Sequence, residues 1–65
     1  MTISKSKLEL IMARKKMNKS QLAGAAGFSR NRIYTILGQK NATPVTVGRI
    51  ADALGVDVTE IIEED

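Results

Sequence analysis

Sixty-five residues carry a net charge of +3, from ten Lys or Arg and seven Asp or Glu, with 43% hydrophobic side chains and neither Cys nor His. That composition is globular, and it excludes disulfides, thiolate metal sites, thiol nucleophiles and imidazole general bases. No apolar run approaches bilayer length and no signal-peptide pattern opens the chain, so a cytoplasmic location is expected.

A chain of this length makes one domain, 1–65, with a modest core whose stability gains from association. Its charge is unevenly spread. Residues 1–40 hold nine Lys or Arg and one acid, Glu9, a net of +8; residues 41–65 hold Arg49 against six acids, a net of −5. The asymmetry suggests a nucleic-acid-facing half and an acidic tail, although clustered solubility charge would read the same way.

Helix 1 starts near Ser4 or Ser6. Ser4 gives an Ile3–Leu8 hydrophobic staple, Ser6 gives a capping box with Glu9, and the pattern leaves both open. Leu8, Ile11 and Met12 form its inward stripe. Arg14, Lys15 and Lys16 close it, where cations complement the dipole; they serve equally as phosphate contacts.

The organising stretch runs from Asn18 to Leu37. Asn18 is a good N-cap, Gln21 completes its capping box, and Met17 and Leu22 stand at staple spacing. A helix over about 19–26 follows, ended by Gly27. Gly24 costs that helix about 1 kcal/mol relative to Ala. Small residues at Ala23 and Gly24 are expected to offset this by admitting a close helix crossing. Ser29 caps a further helix over about 30–37, with Phe28 and Ile33 as its staple. Ile33, Ile36 and Leu37 turn inward; Asn31, Thr35 and Gly38 lie opposite, flanked by Arg32 and Tyr34. A helix opening with Ser-Arg-Asn-Arg suits base edges in a DNA major groove, and it also suits plain solvation.

Gly38-Gln39-Lys40-Asn41-Ala42 reads as a polar loop. Thr43-Pro44 starts a fourth helix over about 44–54, with Val47, Ile50, Ala51 and Leu54 inward and Gly55 after it. Asp57 caps an expected fifth helix, with Glu60 closing a capping box and Val56 and Ile61 a staple. Val58, Ile61 and Ile62 make its apolar face. The acids 63–65 oppose its dipole, so fraying is expected there.

Together these residues resemble the phage-repressor type of helix-turn-helix domain, the Cro-like or XRE family. The resemblance spans Leu8 to Ile62. It is carried by Leu8-x-x-Ile11, by Met17-Asn18-Lys19-Ser20-Gln21-Leu22-Ala23, by Gly27-Phe28-Ser29, and by Ile33-Tyr34-x-Ile36-Leu37. Thr43-Pro44 and Ile50-Ala51-Asp52-Ala53-Leu54-Gly55-Val56 complete it. The resemblance implies an all-α fold, a compact lambda-repressor-like five-helix bundle. It implies a double-stranded-DNA-binding protein, usually a transcriptional regulator and usually a homodimer on a two-fold operator; a repressor is the expected kind.

By position, the resemblance gives base readout to Ser29, Arg30, Asn31 and Thr35. It gives phosphate contacts to Lys19, Lys40 and Asn41, and Asn18, Arg32 and Tyr34 are expected to meet the backbone beside them. Lys19 stands where the family commonly has Gln, so a point charge replaces two-way amide hydrogen bonding. Gln39 replaces a frequent Gly. Met12 and Leu37 replace a frequent Arg–Glu pair, and an apolar pair packs there without the desolvation cost of buried charges. Val45 stands where some phage repressors place a minor-groove Arg, so no such contact is expected.

No cofactor, metal or small-molecule ligand is expected. The competing reading is a protein-interaction module or antitoxin that keeps the fold. An enzyme is the remotest, because the acids fall on caps or solvent positions with no base or metal partner. One Phe and one Tyr argue against single-strand binding by stacking. Ile61 and Ile62 are the expected dimer surface, with core packing as their other use.

Overall fold

The protein is described here by a computed structural model that covers residues 1–39 and 41–63. Its four α-helices are α1 (Lys5–Lys15), α2 (Lys19–Ala26), α3 (Arg30–Gly38) and α4 (Pro44–Leu54). Each begins at a side-chain cap. Ser4 Oγ accepts from the Lys7 N–H at 3.3 Å, which places the start of α1 at the first of the two serines. Ile3 is buried beside this cap, as the staple requires. Asn18 and Gln21 form a reciprocal capping box, at 2.8 and 2.9 Å. Ser29 caps α3 and Thr43 caps α4.

Three of the helices end on left-handed residues. Gly27 (φ 81°) and Gly55 (φ 68°) take that conformation without a Cβ penalty. Lys16 (φ 57°) ends α1 in the same way, at a position where its side chain makes the conformation costly. Its N–H donates to the Ala13 carbonyl at 3.2 Å.

The core is one cluster to which every helix contributes. Leu8, Ile11 and Met12 come from α1, Leu22 and Ala23 from α2, and Ile33, Ile36 and Leu37 from α3. Val47, Ile50, Ala51 and Leu54 come from α4. The helical periodicity therefore gave the inward faces correctly. α2 packs against both α3 and α4, which holds the helix pair 19–38 on the rest of the molecule. Gly24 is not a crossing point: it is exposed, and a Cβ there would meet nothing within 4 Å. Ala23, by contrast, is 2% exposed and belongs to the core.

The expected fifth helix is, among the described residues, a single 3-10 turn, Val58–Glu60. Asp57 and Glu60 do form their capping box. The chain then leaves helical geometry at Ile61 (φ −121°, ψ −2°) because its backbone is taken by another segment. The Ser4 N–H donates to the Ile61 carbonyl and the Glu63 N–H to the Thr2 carbonyl, each at 2.8 Å. Ile3 and Ile62 form an antiparallel bridge between the two ends. Ile61 is 0% exposed and belongs to the core, so it offers nothing to a partner; Ile62 is half-buried. The fraying expected at 64–65 falls outside the described residues. Among the described residues, no helix is long and apolar enough to cross a membrane.

Candidate nucleic-acid interface

α3 presents two faces. Ile33, Ile36 and Leu37 are buried, whereas Ser29, Arg30, Asn31, Arg32, Tyr34 and Thr35 are all exposed. The four side chains expected to read bases thus lie together on the open first turns of one helix. Their hydrogen-bonding capacity differs. Ser29 Oγ accepts from the Arg32 N–H at 3.1 Å, so this oxygen is committed to the cap. Thr35 Oγ1 donates to the Asn31 carbonyl at 3.0 Å, which leaves its methyl and its lone pairs for contact. Arg30 and Asn31 contribute a guanidinium and a carboxamide, the two groups suited to bidentate contact with purine edges.

The start of α2 stands beside this helix. Lys19 Nζ lies over the Tyr34 ring, 5.4 Å from its centroid. Asn18 is exposed, but its side-chain oxygen serves the α2 cap, so its first role is to fix where α2 begins. Asn41 is tied elsewhere: its Oδ1 accepts from Thr2 Oγ1 at 3.3 Å. Next to it, Ala42 exchanges backbone bonds with Met1, at 2.7 and 3.0 Å. The N-terminal segment therefore braces the loop before α4. Lys40 falls outside the described residues.

Met12 and Leu37 are both buried, and they line one cleft of about 240 Å³ with Leu8, Lys19 and Tyr34. An apolar pair occupies this position, as the residues suggested. Val45, at the start of α4, is 72% exposed and carries no charge.

Like the Lys19–Tyr34 contact, others could not be read from the sequence. The Arg49 guanidinium lies over the Phe28 ring, 5.1 Å from its centroid. Its Nη2 would sit 3.7 Å from a Cβ added at Gly27, so α4 braces the turn between α2 and α3. The one signal for it was that Arg49 is the lone cation of residues 41–65. Thr46, also overlooked, is buried and takes part in the Thr43 cap, with 2.9 Å between the two hydroxyl oxygens.

Charge follows the same division. Lys5, Arg14, Lys15, Lys16, Lys19, Arg30 and Arg32 are exposed in the basic half; Asp52, Asp57, Glu60 and Glu63 are exposed in the acidic half. Among the described residues, no cluster of three or more His, Cys, Asp or Glu is placed to hold a metal ion.

A family model for the Cro/C1-type HTH DNA-binding domain matches residues 7–64. The chain belongs to this family. No curated protein and no solved structure matches it. In this Cro/C1-type domain α2, Gly27 and α3 supply the helix-turn-helix, and membership makes the chain a DNA-binding regulator.

Proposed function

We propose that this Cro/C1-type domain is a sequence-specific transcriptional repressor that lays α3 in the major groove of double-stranded DNA. The observation that carries the reading is the open first turn of α3, Ser29 to Arg32, backed by fully buried Ile33 and Ile36. A rigid helix holds its side chains at fixed offsets, which base-edge recognition requires. Arg30 prefers guanine and Asn31 adenine, each good bidentate pair giving ~1–3 kcal/mol of discrimination. Thr35 supplies a methyl against thymine, and Ser29 a shorter polar contact.

Lys19, Arg32, Lys40 and Asn41 meet the phosphates and supply most of the affinity, with Asn18 fixing where α2 begins. Backbone N–H groups at the starts of α2 and α4 add to this. So small a domain grips few phosphates, so it acts as a homodimer on a two-fold operator with half-sites about 34 Å apart. Repression follows from occupying a promoter.

Selection of binding sites from random duplex, followed by titration of variants, tests this. Asn31→Ala relaxes preference at one base step, whereas Lys19→Ala weakens all sequences alike. Equal losses on every sequence for both variants would overturn the assignment of readers. No duplex binding at any salt would instead favour the protein-interaction reading.

A further inference from the structure

We propose that Tyr34 is a positioning residue: its ring face holds the Lys19 ammonium at the edge of α3, aimed at a DNA phosphate. This rests on the DNA reading above, and it gives Tyr34 a role through Lys19 in place of a contact of its own.

A lysine reaches a phosphate on a flexible four-carbon stem and loses rotamer freedom when it binds. Here the stem begins on the first residue of α2, whose position is fixed by the Asn18–Gln21 box. Its far end lies over the Tyr34 ring, 5.4 Å from the centroid, where the negative ring face attracts a cation. Both ends are therefore restrained before DNA arrives. Tyr34 is itself 48% exposed and lines the same cleft as Lys19 and the buried Met12 and Leu37.

The kind of partner matters. Glu9 lines the same cleft, yet Lys19 pairs with the ring. A carboxylate would accept the ammonium hydrogens and would have to be displaced by phosphate. A ring face accepts none of them in a strong bond, so the three donors stay available while the direction of the stem is set. The same contact couples the two helices: Lys19 sits on α2 and Tyr34 on α3, so a phosphate held by one registers the other in the groove.

The salt dependence of binding to random duplex separates this role from a structural one. Losing one phosphate contact lowers the magnitude of the slope of log K against log salt by about 0.9. Lys19→Ala is expected to do so. Tyr34→Leu, which keeps bulk and removes the ring, is expected to remove roughly half of that or more. It should remove nothing further once Lys19 is Ala. Tyr34→Phe keeps the ring face and should match the wild type. A thermal melt checks that each variant is folded, and Tyr34→Gln replaces Tyr34→Leu if the latter is not.

NMR of the free protein gives a reading without DNA. The Lys19 ε-methylene protons should be shifted upfield by the ring in wild type and Tyr34→Phe, and not in Tyr34→Leu. A slope that falls in Tyr34→Phe would overturn the proposal in favour of a direct hydroxyl contact. A wild-type slope that survives Tyr34→Leu would overturn it outright. Absence of salt-dependent binding by the wild type would instead sink the DNA reading, with the ring-shifted Lys19 signal still reporting the pair.

Discussion

Asn18 and Asp57 open their segments in the same way. Each caps a first turn, each is answered by a side chain three residues on, and each stands between apolar residues at staple spacing. Yet α2 continues to Ala26, whereas the turn after Asp57 stops at Glu60. The difference lies in what meets the backbone next. α2 runs on because Leu22, Ala23 and Ala26 find a core surface while its own N–H and C=O groups pair within the helix. After Glu60 the partners come from outside: residues 2–4 take the backbone of 61–63. A cap therefore specifies where a helix begins, and tertiary packing decides how far it goes.

The largest expected effect tests whether the short turn is as much part of the core as a full helix. Ile61 and Ile33 are both 0% exposed. Ile61→Ala and Ile33→Ala should each cost about 3 kcal/mol, a large share of the stability of a domain this size. Urea unfolding measures both. A loss below about 1 kcal/mol for Ile61→Ala alone would mean that the end of the chain packs more loosely than a core helix does.

This contrast also explains what could be read in advance. Caps at Asn18, Ser29 and Thr43 are local signals, and they located the starts of α2, α3 and α4. Apolar spacing is local too, and it gave the buried face of each helix and, by difference, the exposed face of α3. The bridge between Ile3 and Ile62 joins residues at opposite ends of the chain, and no periodicity in either segment encodes it. Lys16 carries no glycine signature, so its left-handed turn was equally illegible. At the site, the positions on α3 could be read because helical geometry fixes them. The Lys19–Tyr34 and Arg49–Phe28 contacts could not, since each depends on how two helices cross.

A smaller effect, opposite in sign, concerns why α2 continues. Gly24 lowers its intrinsic helicity, and nothing lies within 4 Å of where a Cβ would go. Gly24→Ala should therefore raise stability by about 1 kcal/mol and lift the melting temperature by a few degrees. A thermal melt against the wild type measures it. Destabilisation would show that the glycine is needed by a close approach, contrary to its open surroundings.

The smallest effect lies at the other cap. Thr59 donates both its hydroxyl, at 2.5 Å, and its backbone N–H, at 3.0 Å, to the Asp57 carboxylate. These bonds, the hydroxyl first, hold the carboxyl below its ordinary pKa against a slight opposing effect of desolvation. A carboxyl more acidic in the folded than in the unfolded chain contributes stability above the unfolded value, about 3.9 for Asp. That contribution is lost as pH falls through the folded value. Asp57→Asn keeps a capping oxygen and removes the titration. Its stability relative to wild type should be lower at neutral pH, and the gap should narrow below about pH 4. Urea midpoints at pH 7 and pH 3 for the two proteins supply the test, and other carboxylates cancel in the difference. A gap that stayed constant with pH would assign the cap to geometry alone and leave the charge of Asp57 without a role in holding the turn.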